Sequence, residues 1–505
     1  MNETYIEKMR KDHGWFLRMS LIFGIIFVFC IYRNMSGITF PLLTAVMICF
    51  STAFLRRMGI TFSKDMIPYG IGIMLLGIST CRTASGFLHF FNYVGILLLF
   101  CGAALHQVQD DRRWGFIQYV KKFFSLAGMW IISFVEPFRR QEEEKDVDNK
   151  GGMLKNKKTR AVGVGILAAV LFLCVVLPLL MMSDRIFSRF FTDFFSLFDL
   201  GEIFDEFNLG NLIGILITFL IGMTGIYAFF AGVFRMKQGD DVEENRKKAD
   251  TLTGITFTGI LAAVYVFYSA IQIIYLFLRL DTGLPDGMTY SQYAHEGFWQ
   301  LLFVSVINFA AVVICIQVFG ENRILGILLC TVSVCTCVMI LSATYRMMLY
   351  VGEYDLTFLR VLVLWFLAVL MVIFFGVIYS IFRRQFRLFR YIMAVISVMY
   401  IGFSLLRPDG LIAEYNIANT KSMNYEDVMY LLYGLSEDAA PELMEIDMDN
   451  LLEIQAFQEV NYYFNEIQKR YGDMSLRTWN LSRSSALDTA EMWKENAGIN
   501  GIAVE

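Results

Sequence analysis

Histidine is scarce in this chain: four in 505 residues, at His13, His89, His106 and His295, too few for a His-built metal centre. No Walker loop, His-Glu-x-x-His, Gly-x-Ser-x-Gly elbow or Cys-x-x-Cys pair occurs, so the signatures of nucleotide hydrolysis, zinc proteolysis, serine hydrolysis and dithiol exchange are all missing. The nine cysteines run from Cys30 to Cys337, inside or at the edges of apolar runs, and none falls in the last 168 residues. They read as small core residues; Cys335 and Cys337, two apart on a helix, point in different directions and make a poor metal pair. Neither a metal nor a cofactor is called for. The first apolar run is expected to stay as a membrane helix and not to be removed as a signal peptide, because it is followed at once by a second run and lacks a convincing small-residue cleavage site.

Charge is the other scarcity. Only 18% of residues are charged against 56% hydrophobic, with 47 Phe and a mean hydropathy of +0.53, more apolar surface than a soluble core of this length could hide. Lipid must cover much of it. A bilayer core needs roughly 20 apolar residues as a helix. On that ruler spans fall at 16–32, 36–55, 66–81, 85–105, 161–182, 211–234, 253–279, 298–319, 324–345, 357–382 and 389–406; the third is the weakest. The stretch Trp114–Phe138 mixes Lys121, Lys122 and Glu136 with bulky apolar groups and reads as an amphipathic helix on the membrane surface, not a twelfth span.

Basic residues sort by connection. With eleven spans, 28 of the 43 Lys and Arg fall on one side, including Lys8, Arg10, Lys11, Arg56, Arg57, Arg323 and Arg383–Arg390, and six in the short loops opposite, at Arg33, Arg82, Arg185, Arg189, Arg279 and Arg346. The basic side is cytoplasmic by the positive-inside rule. The expectation is an all-α polytopic membrane protein of about eleven transmembrane helices, N-in/C-out, with a small helical extracytoplasmic C-terminal domain. It divides into a four-helix region at 1–105, a cytoplasmic linker at 106–160 with the interfacial helix, a seven-helix core at 161–406 and an acidic tail at 407–505. After the fifth span, Phe187, Phe190, Phe191, Phe194, Phe195 and Phe198 recur at helical spacing, either lying on the outer surface or packing internally. The segments 139–160 and 235–250 mix both signs of charge and read as solvated linkers.

The tail holds 18 Asp and Glu against seven Lys and Arg. Its apolar residues recur with helical period at Val428, Leu431, Leu432 and Leu435, then at Leu451, Leu452, Ile454, Phe457, Val460 and Phe464. Ser436 is placed to cap a helix starting at Glu437, and Ser485 with Asp488 resembles a capping box.

Polar residues gather at three places on the outer side. Between the ninth and tenth spans stand Tyr345, Arg346, Tyr350, Glu353, Asp355 and Arg360; Arg360, in the first turn of an apolar helix, needs a partner, and Glu353 or Asp355 is the expected one. Asp184 closes the fifth span, and Asp409 and Glu414 open the tail, where Pro408 and Gly410 break the helix and Asp409 can cap the next one. Asp184, Arg346, Glu353, Arg360, Asp409 and Glu414 form either a shared constellation or separate structural locks. Inside the spans the notable polar residues are His89, Asn92 and Asn308, which can simply bond a neighbouring helix.

Some of these stretches resemble a known family. Leu341-Ser342-Ala343-x-Tyr345-Arg346-Met347-x-Leu349-Tyr350, continuing to Leu356-Thr357 and Arg360, is similar to sequences in the bacterial domain-of-unknown-function families 4153 and 4173. So are Arg407–Asn416, Leu435–Leu443 and Trp479-Asn480-Leu481-Ser482-Arg483. The resemblance covers about 160–505 and implies the bacterial cytoplasmic membrane, with no established activity. Where family members often show Asn-Pro-Asp, this chain has Arg407-Pro408-Asp409.

Three functions compete. A non-enzymatic envelope sensor, scaffold or assembly factor fits the folded acidic tail, with the lipid bilayer and an envelope protein or cell-wall component as partners and nothing pointing to nucleic acid. A transporter would use Asn308, Thr331, Ser333, Thr336 and Arg360 as a polar path, although paired broken helices and internal repeats are missing. A membrane-embedded enzyme acting on a lipid-linked substrate would use paired carboxylates such as Glu353 and Asp355.

Overall fold

A computed structural model describes residues 4–61, 63–109, 114, 116–138, 209–237, 249–274, 298–320, 322–383, 385–420 and 423–499. The expected span at 161–182, the Phe187–Phe198 stripe, Asp184, His295, the 139–160 linker and most of 235–250 lie outside these residues. Among the described residues the chain is helical, with one isolated bridge between Ala249 and Phe319.

The helices before the tail are α1 (Tyr5–Lys11), α2 (His13–Ile31), α3 (Thr39–Arg57), α4 (Ile67–Arg82), α5 (Gly86–Val108), α6 (Phe116–Ile132), α7 (Leu209–Met236), α8 (Thr251–Gln272), α9 (Phe298–Val318), α10 (Arg323–Tyr354), α11 (Phe358–Phe382) and α12 (Leu388–Leu405). Among the described residues nine of them are long and apolar enough to cross a membrane: α2, α3, α5 and α7 to α12. At 16 residues α4 is shorter, as its sequence run is. One expectation is corrected here. The polar stretch after residue 345, read as part of a loop between spans, continues α10 to Tyr354. The residues 345–350 are acceptable or good helix formers, and the chain turns only at Asp355, whose φ is +59°.

Two groups of helices pack separately. In the first, α2 and α7 cross closely because glycines on each receive rings from the other: the Gly24 face lies against Phe219, Gly222 against Phe27 and Gly214 against Tyr32. Between lipid-immersed helices such contact supplies the cohesion that exclusion from water cannot. Buried Phe16, Phe54, Phe230 and Phe234 continue the seam, with ring centroids 5.1 Å apart for Phe16–Phe54 and 4.9 Å for Phe54–Phe230. Thus α7, counted from the sequence with the 161–406 core, packs among the N-terminal helices. The second group is α8 to α12, centred on α10. Helix α12 returns to α4 and α5, where the Ser79 and Ser404 hydroxyls meet at 2.6 Å.

Helix α6 straps the two groups together. Its Tyr119 ring stacks on Phe389 with centroids 4.1 Å apart, its Ile117 N–H donates to Gln317, and its Trp130 Nε1–H donates to the Gly225 carbonyl. Just beyond it, buried Glu136 accepts from Arg10 of α1 at 2.6 Å and from Arg235 of α7 at 2.5 Å. Lys121 lies in its exposed surface, as does Phe124 at 75%.

The tail is a helical unit of α13 (Pro408–Asn419), α14 (Tyr425–Met429, running into a π turn at Tyr430–Gly434), α15 (Met448–Glu453), α16 (Phe457–Tyr471) and α17 (Leu481–Ile499). Val428, Ala439, Leu443, Leu451 and Val460 are fully buried in its core, with Phe464 and Trp493 rings 5.3 Å apart. The expected caps fall elsewhere. Asn480, not Ser485, caps α17 by accepting from the N–H groups of Ser482 and Arg483. The Ser436 hydroxyl donates to Asp409 and makes no cap bond. Asp409 lies inside the first turn of α13, behind Pro408, which suits a helix start because its missing N–H is not needed there.

Candidate functional site

The chain turns at one end of the bundle three times, near 32–38, 83–85 and 355–357, and the tail seats on all three. Helices that end there present carbonyls with no partner in the next turn, and buried carbonyls need donors. Each of the three finds them. Arg477 Nη1 donates to Phe29 O at 3.2 Å and Tyr32 O at 2.7 Å, closing α2 with a cation where the helix dipole favours one. Asn480 Nδ2, fully buried, faces the carbonyls of Thr83 at 2.9 Å, Thr80 at 3.3 Å and Ser36 at 2.9 Å, closing α4. His89 Nε2 points at the same Thr80 and Thr83 carbonyls, 3.1 and 2.8 Å away. Two carbonyl acceptors require a donor, so Nε2 carries the proton. At α10, Arg360 Nη1 donates to the carbonyls of Tyr354 and Asp355 while its guanidinium lies 4.2 Å over the Tyr350 ring.

Helix starts at the same end need the opposite chemistry. Asp438, 3% exposed, accepts from the Thr83 hydroxyl at 2.5 Å and from the Ala84 N–H at 2.8 Å, just before α5 begins, where a negative charge suits the dipole. The turn after α10 is held through Asn416, which both accepts from Leu356 N–H at 3.0 Å and donates to Leu356 O at 2.9 Å, and through Tyr430, whose hydroxyl accepts from Phe358 N–H at 2.8 Å. Gly37 is required by closeness: a side chain there would collide with the Arg477 carbonyl. Asn34 completes this corner by donating to the same carbonyl at 2.6 Å.

The residues singled out from sequence take separate places around these turns. Arg360 meets backbone carbonyls, not the carboxylate of Glu353 or Asp355, which corrects the expected ion pair. Asp409 is 3% exposed, and its Oδ2 accepts from Ser436 N–H at 3.2 Å and Oγ at 2.6 Å. Its Oδ1 makes no bond of hydrogen-bond geometry, although Ser85 is near enough to favour its charge. Burial pushes this carboxyl up, Asp438 adds to the rise, and the Ser436 bonds oppose it. Glu353 and Glu414 are exposed, and Tyr345 and Arg346 are half-buried on α10.

Within the bundle, Asn92 donates to Thr80 at 3.2 Å and accepts from Tyr400 at 2.9 Å and Ser404 at 3.0 Å. Asn308 accepts from Tyr265 at 2.7 Å and donates to Thr336 at 2.9 Å. Thr331, Ser333 and Thr336 each donate to a carbonyl four residues back on their own helix. The groups that suggested a polar path thus bond one another or their own backbone. Sequence reasoning does not single out Asp438, Asn480 and Arg477 as site residues; the signal for the first two lies in the family-like motifs that contain them.

These features define the class: a polytopic α-helical membrane protein with a folded tail seated on one end of its bundle. The chain belongs to the family described as Domain of unknown function (DUF4153), which it matches over residues 70–446. That match starts inside α4, well before residue 160, and stops before Arg477 and Asn480; it gives no such support to family 4173. No curated protein and no solved structure matches the chain.

Proposed function

We propose that this is a non-enzymatic protein of the bacterial cytoplasmic membrane, a scaffold, sensor or assembly factor that works through its outer face and tail. The observation that carries the reading is the fastening of the tail. Buried Asn480, Asp438 and Asn416 tie it to three separate turns, so it moves with the bundle as a platform instead of hanging from it. Buried amides and carboxylates are costly unless satisfied, and here they are spent on joining two bodies. The basic end, with Lys8, Arg57 and Arg235, then faces the cytoplasm by the positive-inside rule, and the tail faces outward.

Photocrosslinking in cells from positions spread over the tail, followed by mass spectrometry, tests this. A specific envelope protein or cell-wall component should be captured. A tail deletion that leaves envelope phenotypes intact, or solute uptake by the purified protein in liposomes, would overturn it in favour of transport.

A further inference from the structure

Tyrosine rings normally bury most of their area and keep only the hydroxyl wet. Tyr415 on α13 is 41% exposed, and three more tail tyrosines stand together away from it: Tyr425, Tyr433 and Tyr462 are 44%, 56% and 59% exposed. They share one face. Tyr425 and Tyr433 stand eight residues apart across α14 and the π turn at Tyr430–Gly434, a local winding often found at functional sites. Glu459 and Tyr462 are one turn apart on the neighbouring α16. The Tyr433 hydroxyl donates to Glu459 Oε2 at 3.3 Å, and its ring stands edge-on to buried Tyr463 with centroids 6.4 Å apart, which gives the face a rigid floor. Burial first, then Glu459, Tyr462 and Tyr425, push the Tyr433 hydroxyl up, consistent with one cluster.

We infer that this face docks a polypeptide segment carrying lysine or arginine, with the tyrosine rings receiving the cations and Glu459 fixing them. Charge complementarity selects the partner. Glu459 sits inside the cluster and exposed Glu426 comes directly after Tyr425, in a tail of 18 acids and seven bases. An aromatic face attracts ammonium and guanidinium groups through its quadrupole, and a carboxylate beside it adds direction. Anionic partners such as nucleic acid or acidic lipid are repelled by the same charges. Tyrosine also loses little side-chain entropy on binding, which is why it is enriched at interfaces. This rests on the proposed reading only in taking the tail as the working surface.

The full-length protein in nanodiscs of neutral phosphatidylcholine, titrated with a fluorescent Lys-Ser repeat decapeptide, provides the test. The Tyr433→Ala/Tyr462→Ala variant leaves the charge at neutral pH unchanged and should weaken binding about tenfold. The Glu414→Gln/Glu445→Gln variant removes two acids that neighbour Glu442, and should change binding less than about threefold. Wild-type affinity in the tyrosine variant overturns the inference. So does an equal loss in the charge variant, which would mean bulk attraction, or binding of a chitin oligosaccharide at the tyrosines with none of the peptide. Circular dichroism checks that each variant folds. Cellular capture at other tail positions with no peptide binding would sink this inference and leave the proposed function standing; peptide binding with no capture anywhere would do the reverse.

Discussion

Asp409 keeps a carboxylate almost out of water with one serine as its bonded partner. Burial raises its pKa above the ordinary 3.8, so between 3.8 and the raised value the folded state binds more protons than the unfolded one. Stability from this group is therefore fully present below 3.8 and is lost as pH rises through the raised value. Asp409→Asn keeps an acceptor for Ser436 and removes the titration. Thermal unfolding of the purified protein from about pH 4 to 7 should show the variant more stable at the neutral end and flatter with pH; a uniform loss at every pH would contradict this. The residue is legible in the sequence as polar and close to a break. Its partner is not, because Ser436 lies 27 residues away and has the look of a local cap.

Helices are the most legible elements, since apolar runs near bilayer length can hardly be anything else, and the edges of α2, α5, α9, α11 and α12 fall within about three residues of the runs. Polarity misleads where it resembles a loop. The last turns of α10 carry Tyr345, Arg346 and Glu353 yet stay helical, because helix formation tolerates polar residues once the helix leaves the apolar layer. Contacts between helices are not legible: nothing local announces that Gly222 must receive Phe27. There a methyl would lie 2.7 Å from the Phe27 ring and 2.8 Å from its Cβ, too close for one side chain to give way cheaply. Gly222→Ala should destabilise the α2–α7 seam by about 1–3 kcal/mol, read as a lower unfolding temperature in detergent. Gly225→Ala, with open space around it, should have little effect.

At the scale of the whole molecule, charge sorting and packing agree on two distinct ends, since the turns that seat the tail lie at the opposite helix ends from Lys8, Arg57 and Arg235. The orientation itself is open to labelling. Leu476 is 87% exposed on the tail, so in a cysteine-free background Leu476→Cys should react with an impermeant maleimide in intact spheroplasts, whereas Lys11→Cys should need permeabilised cells. The opposite pattern would reverse the topology. The seat of the tail also orders how the protein comes into being. Asn480 closes α4 across 397 to 400 residues of chain and reaches Ser36 across 444. Ribosomes make those early helices long before they make their stopper, so the first hairpins must wait in the bilayer with the carbonyl end of α2 bare and that of α4 met by His89 alone. Only when the final stretch has been synthesised and delivered to that end can they be sealed. A truncated nascent chain is thereby left without its last fastening, which gives quality-control proteases a mark of incompleteness.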